Sequence, residues 1–362
     1  MTADSASAAP SAERAPIIDC DLWARKASYT AIAPYLPSSW REWLRIENPP
    51  PAATGYRPAL PESQYFLEGP ALVRAGEAED WDAALVAHLD RHGVAAAILN
   101  PGAASSVTGI ANPLLAAEVS RAVNDWTIAE WLAFDPRLLG SIVVSLGNPA
   151  AAAEEIRRVA TNERMVQVVL AYPPRLLGDR RFHAVFEAAA ELGLPINLQA
   201  GGAYSGQNPG LTGVGNPATP FEALLSWEYG AQPHLVSMIC SGVFDRYPGL
   251  RLVLNGFGVA WLPGLLWRMD GEYHAGRLPA PESLSGLPSD HVREHVRFTS
   301  CGLELADGLA ALLRLIDAEP MVVFGSGPLR SDDAGDMAVF EVLGSDWREH
   351  AHHAATYLFP AA

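Results

Sequence analysis

A chain of 362 residues with 49% hydrophobic residues and a mean hydropathy of +0.08 can bury a large core, and general disorder is excluded. No apolar run approaches the roughly 20 residues that span a bilayer, and a formal charge of -16, from 25 Lys plus Arg against 41 Asp plus Glu, argues against nucleic acid or an anionic membrane as partner. Lys26 is the only lysine, so Schiff-base chemistry has one poor candidate, and the 3 cysteines, Cys20, Cys240 and Cys301, form neither a disulfide framework nor a spaced zinc motif.

Residues 1–15 are acidic and rich in Ser and Ala, with no basic segment leading into an apolar one, and read as a disordered tail rather than a signal peptide; a cytoplasmic protein is expected. Residues 16–362 then read as one domain. Its first strand is Pro16-Ile17-Ile18-Asp19-Cys20-Asp21-Leu22-Trp23, apolar at its start and acidic at alternate positions towards its end. Period two puts Asp19, Asp21 and Trp23 on one face, and if that face is a barrel lumen, two carboxylates and an indole meet at its mouth. Tyr29 to Leu44 is expected to form a short helix anchored by Trp40 and Trp43. Prolines and glycines break any period over 47–70, a long loop of the kind that makes lids or partner contacts.

Trp81 to Arg91 is an amphipathic helix stopped at His92-Gly93, and Val94 to Leu99 a second buried strand. Asn112-Pro113 and Asn148-Pro149 each place a cap residue before a proline suited to a first helical turn, predicting helices to about Phe134 and over 150–160. Strands are predicted at 138–145, 166–170, 195–199, 250–254, 296–299 and 321–324. Helices fall at 180–192, 221–232, 235–243, 261–273, 303–316 and 346–358, the last with Ser345 as cap. Residues 201–219 are rich in Gly and Asn and too long for a simple turn. Strand and helix thus alternate about eight times, which identifies a distorted (β/α)8 TIM barrel with long loops over its C-terminal mouth rather than an open doubly wound sheet.

With the strands placed, the sequence resembles the amidohydrolase-related (amidohydrolase 2) family, in particular its aminocarboxymuconate-semialdehyde decarboxylase group. The resemblance rests on Ile18-Asp19-Cys20-Asp21, Leu36-Pro37 with Trp40-Arg41, Arg121-Ala122-Val123-Asn124-Asp125-Trp126, Asp135-Pro136-Arg137, Gly193-Leu194-Pro195, Tyr247-Pro248-Gly249-Leu250, Trp261-Leu262-Pro263 and Arg293-Glu294-His295-Val296. It implies descent from metal-dependent barrel hydrolases and decarboxylases whose metal is held at strand ends. At those positions the family's first-strand histidine becomes Trp23, the fifth-strand histidine Gln199, the glutamate after the sixth strand Gly256, and the eighth-strand acid and histidine fall within Ser326-Gly327-Pro328-Leu329. Indole N–H and glycine cannot ligate a divalent ion, so neither a metal nor another cofactor is expected.

The remaining candidates each carry two readings. Asp19 and Asp21 can be an acid pair with one raised pKa, or carboxylates held by hydrogen bonds as a remnant of the ancestral site. Trp23 can stack on an aromatic ligand or fill vacated volume. His234 can be a general base or a helix anchor. Asn197, Gln199 and Asn255 can line a neutral pocket, and Arg330 can hold a ligand carboxylate or pair with Asp332 and Asp333.

Three functions follow. The first is a catalytically reduced, metal-free homologue serving as structural or regulatory partner of an active one, in a hetero- or homodimer. The second is a metal-independent lyase, cyclase or hydrolase acting on a small aromatic or polyketide-like carboxylated substrate of bacterial secondary metabolism. The third is a small-molecule binding protein with the long loops as lids.

Overall fold

The computed structural model describes residues 15–24, 29–44, 81–101, 107–108, 110–171, 173, 175–199, 219–276, 284–304, 307–327, 338–344 and 346–360. The 47–70 loop, Arg330 and all of 201–219 but Thr219 lie outside them. The strands are β1 (Ile17–Ala24), β2 (Val94–Pro101), β3 (Leu138–Val143), β4 (Met165–Ala171), β5 (Ile196–Gln199), β6 (Leu252–Asn255), β7 (Val296–Thr299) and β8 (Val322–Val323). They pair in parallel in chain order in one 8-stranded sheet. The sheet closes where Cys20 N–H donates to Phe324 O at 2.8 Å, Gly327 N–H to Asp21 O at 2.7 Å and Trp23 N–H to Gly327 O at 2.9 Å. The architecture is a distorted (β/α)8 barrel.

The helices that follow successive strands are α1 (Trp81–His92), α2 (Pro113–Trp126), α3 (Pro149–Val159), α4 (His183–Glu191), α5 (Pro220–Cys240), α6 (Leu262–Ala275), α7 (Leu309–Leu315) and α8 (Trp347–Leu358). Further helices occur at Tyr29–Ile32, Ser38–Trp43, Val243–Arg246, Pro288–His295 and Ala338–Leu343. Both Asn-Pro openings behave as the sequence predicts: Asn112 Oδ1 accepts from the N–H groups of Leu114 and Leu115, and Asn148 Oδ1 from that of Ala151. The expected run to Phe134 is shorter, since α2 gives way at Thr127 to a π-helical turn over Thr127–Trp131. Segments 221–232 and 235–243 differ from expectation more sharply, because 220–240 is one helix with Pro233 inside it. Proline removes the donor that would bind the Tyr229 carbonyl; Tyr229 is exposed, on a face where a freed carbonyl can be hydrated. Among the described residues no helix is long and apolar enough to cross a membrane.

Two apolar layers show which side of each strand faces inward. Ile17, Leu22, Ala97 and Leu99 belong to the large cluster shared with the helices, whereas Ile18, Cys20, Ala96, Ile98, Val253 and Val323 form a separate inner cluster. Ala354, Ala355 and Leu358 of α8 pack on that inner cluster near the start of β1. The lumen is therefore an apolar plug at the N-terminal ends of the strands. Above the plug, the inward positions become polar.

Candidate functional site

A bulge in β1 decides which acid enters the lumen. Asp19 pairs with Ala97 and Leu22 with Leu99, so three steps on β1 oppose two on β2. Below the bulge Ile18 faces inward with its partner Ala96; above it Leu22 faces outward with Leu99, and Trp23 pairs with the inward Asn100. Cys20 and Asp21 consequently both turn inward, and Asp19 turns out. The expectation that Asp19, Asp21 and Trp23 share one face is corrected accordingly: Asp21 and Trp23 do, Asp19 does not.

Asp19 is fully buried in the barrel wall. His88 Nε2 of α1 lies 3.1 Å from its Oδ2, which also accepts from Ser326 Oγ at 2.6 Å, while its Oδ1 accepts from the backbone N–H of Asp21 and of Ser326, each at 3.1 Å. It ties β1, α1 and the end of β8 together.

Asp21 is the hub of the lumen. Its Oδ1 accepts from Asn100 Nδ2 at 2.6 Å and Asn255 Nδ2 at 2.7 Å, and its Oδ2 from Trp23 Nε1 at 3.3 Å. Asn255 ends β6, across the barrel from β1, so that bond can only run through the lumen. Burial pushes the Asp21 carboxyl up to about 6; the hydrogen bonds from Asn100 and Asn255 oppose the rise, the neighbouring Asp19 charge adds to it and Trp23 opposes it. The carboxyl thus titrates near neutrality in a dry setting, as a proton donor must.

Around this hub sit residues that sequence reasoning missed. Asn100 Oδ1 accepts from Ser141 Oγ at 2.7 Å and Gln167 Nε2 at 2.8 Å, and Asn255 Oδ1 accepts from Thr299 Oγ1 at 3.1 Å. For three of them the signal was present: Asn100, Ser141 and Gln167 are each an isolated polar residue at an inward position of an otherwise apolar strand. Asn197 Oδ1 accepts a long bond from Asn255 at 3.4 Å, while Asn197 Nδ2 and Gln167 Oε1 are buried without a partner among the described residues. Gln199, half-buried, ends β5 in register with Asn255.

His234 lies on α5, where its Nδ1 accepts from the Leu177 N–H at 3.3 Å; the neighbouring Gly178 N–H donates to Ser237 Oγ at 3.1 Å. The loop after β4 is docked onto α5 through these two bonds. Burial holds the His234 pKa down at about 4, so the ring is neutral at physiological pH, and with Nδ1 as acceptor its proton sits on Nε2. Cys20 is no nucleophile: burial, then Asp19 and Asp21, raise its thiol well above the usual range.

Among the described residues, the groups around Asp21 are not arranged as the ligands of a divalent cation. Lone pairs would have to converge on Asp21, yet N–H groups from Asn100, Asn255 and Trp23 do so. Gly256 and Gly327 carry no side-chain ligand, and both have positive φ, +78 and +73. A Cβ at Gly327 would lie 2.5 Å from Cys301 Sγ, so the thiol takes the space an acid there would need. Among the described residues no group of three or more His, Cys, Asp or Glu side chains is placed to hold a metal.

The amidohydrolase family profile matches residues 74–337. A gamma-resorcylate decarboxylase of Rhodococcus jostii (strain RHA1) is 27% identical over 263 residues, 67% of this chain and 76% of that protein. One of Polaromonas sp. (strain JS666 / ATCC BAA-500) is 27% identical over 198 residues, 50% of this chain and 57% of its own length. Among solved structures, 5-carboxyvanillate decarboxylase from Sphingomonas paucimobilis superposes with a TM-score of 0.67 at 20% identity, covering 96% of this chain and 100% of that one. A dihydroxybenzoic acid decarboxylase from Polaromonas sp. JS666, with bound manganese and the inhibitor 2-nitroresorcinol, gives 0.65 at 19% identity, covering 95% and 97%. The fold is related to that of small-molecule aromatic-acid decarboxylases.

Proposed function

This chain belongs to the amidohydrolase family, and from that premise we propose that it is a lyase that removes carbon dioxide from a small aromatic carboxylic acid, without a resident divalent cation and with Asp21 as proton donor. The observation that carries the reading is the Asp21 carboxyl, wholly buried in the lumen, whose pKa of about 6 lets it hold and release a proton at neutral pH. When the aryl–carboxylate bond breaks, the electron pair stays on the ring carbon, which must gain a proton. Asp21 supplies that proton and recovers one from solvent after release, so that Ar–COO⁻ plus H⁺ gives Ar–H plus CO₂. A ring hydroxyl beside the carboxylate lets the protonated ring rest as a keto tautomer, and Asn197 and Gln199 are the neutral groups we assign to it. Trp23 is assigned to the ring face and Arg330 to the substrate carboxylate. His234 orders the loop after β4, and Asp19 orients the β1 turn that presents Asp21. Kinship with the aminocarboxymuconate-semialdehyde decarboxylase group belongs to the same proposal. Decarboxylation is preferred over cyclisation or hydrolysis of a polyketide-like acid because the curated relatives described above are decarboxylases.

A second reading is favoured by one observation. Both Asp21 oxygens are already engaged within the protein. A lumen carboxylate engaged in this way suits a structural or regulatory subunit of an active homologue.

The test is carbon dioxide release from hydroxylated benzoates, 2,6-dihydroxybenzoate among them, by full-length protein dialysed against chelator. Turnover that survives the chelator and falls at least about 100-fold in Asp21→Asn supports the lyase. No turnover on any acid, together with a homologous subunit co-purifying from the native host, replaces it with the second reading.

A further inference from the structure

An asparagine side chain can face a carboxylate with either end, and what its oxygen receives from behind decides which. Asn100 Oδ1 receives Ser141 Oγ–H at 2.7 Å and Gln167 Nε2–H at 2.8 Å, which leaves Nδ2 towards Asp21. Gln167 Nε2 also donates to Ser141 Oγ at 2.8 Å, committing the serine proton to Asn100. On the other side Asn255 Oδ1 receives Thr299 Oγ1–H at 3.1 Å, nearer to that hydroxyl than its other acceptor, Cys301 O at 3.4 Å, again leaving Nδ2 towards Asp21. Reversing either amide would set oxygen against carboxylate and N–H against N–H or O–H, losing bonds in a site where all these side chains are at most 5% exposed. The two amides and the Trp23 indole therefore present only hydrogens to the two carboxylate oxygens.

We propose that this oriented set takes the place of a cation at Asp21. The N–H dipoles of Asn100, Asn255 and Trp23 supply the positive surroundings a divalent ion would supply. Ser141, Gln167 and Thr299 are positioning residues that act through the two asparagines. The inference rests on taking the Asp21 lumen as the functional centre; its test reads no turnover, so the two can fail separately.

Full-length protein labelled with ¹⁵N-asparagine and dialysed against chelator gives side-chain amide signals for Asn100 and Asn255. Both should exchange slowly with D₂O and keep their line widths when equimolar Mn²⁺ is added, with no rise in melting temperature. Thr299→Val should speed exchange of the Asn255 amide about tenfold, the weight of one hydrogen bond within a charged network, and leave Asn100 unchanged, while Thr299→Ser restores it. If Thr299→Val does not fold, Ser141→Ala should speed Asn100 instead. Broadening of both signals by equimolar Mn²⁺ would show that the site accepts a cation and overturn the proposal. Exchange unchanged in the folded variant would do the same for the positioning residues.

Discussion

Asp19 and Asp21 stand two residues apart on one strand, yet Asp19 Oδ2 meets His88 of an outer helix at 3.1 Å while Asp21 Oδ1 meets Asn255 at 2.7 Å across the lumen. One bulge between them separates a structural carboxylate from the one that can do chemistry.

The two should respond differently to the same substitution. Asp19→Asn removes acceptors from His88 and Ser326 in a dry wall and should cost about 1–3 kcal/mol, read as a lower denaturant midpoint with turnover reduced far less than in Asp21→Asn. Asp21→Asn should abolish turnover and leave the midpoint nearer to wild type. Equal losses of activity would remove the distinction.

Stability against pH carries two opposed signatures. The folded pKa of Asp21, about 6, lies above the ordinary carboxyl value of 3.8, so the folded state holds the extra proton and this contribution is lost as pH rises through that window, by about 3 kcal/mol. The folded pKa of His234, about 4, lies below 6.5; the unfolded state then holds the extra proton, and stability rises over that window by a similar amount. Chemical denaturation from pH 4 to 6.5 should find the wild type nearly level over the shared range, His234→Gln falling with pH and Asp21→Asn rising.

Introducing an acid at position 327 should not be tolerated alone. Gly327→Asp forces a side chain onto a φ of +73 and drives its Cβ towards Cys301 Sγ. The loss should be about 2–4 kcal/mol, and adding Cys301→Gly should recover the steric part, which a double-mutant cycle would measure.

Glu304, after β7, accepts from Val259 N–H at 3.0 Å and from Ala260 N–H at 3.3 Å, locking the β6 loop where α6 begins. Glu304→Ala should lower stability by about 1–2 kcal/mol. A melting temperature unchanged in that variant would show the clamp to be idle.

Much of the fold was legible from local signals. The apolar strands, the two Asn-Pro helix openings and the alternation of strand and helix depend on neighbours along the chain, and periodicity records these. At Pro233 the local rule failed: a proline reads as a break, but packing of Ala231, Leu235, Met238 and Ile239 in the core keeps 220–240 helical across it.

The candidate site was legible only in part. Asp21, Trp23 and Asn255 could be placed at strand ends from their positions alone, and the positions at which the resemblance expects ligands could be named. Which way Asp19 pointed could not, because a bulge is a property of two strands' register and leaves no mark in the period of one. Nor could the roles of Asn100, Ser141, Gln167 and Thr299, which come from β2, β3, β4 and β7 and meet only when the barrel closes. An amide's orientation is settled by the donors behind it, and those donors are brought there by distant parts of the chain.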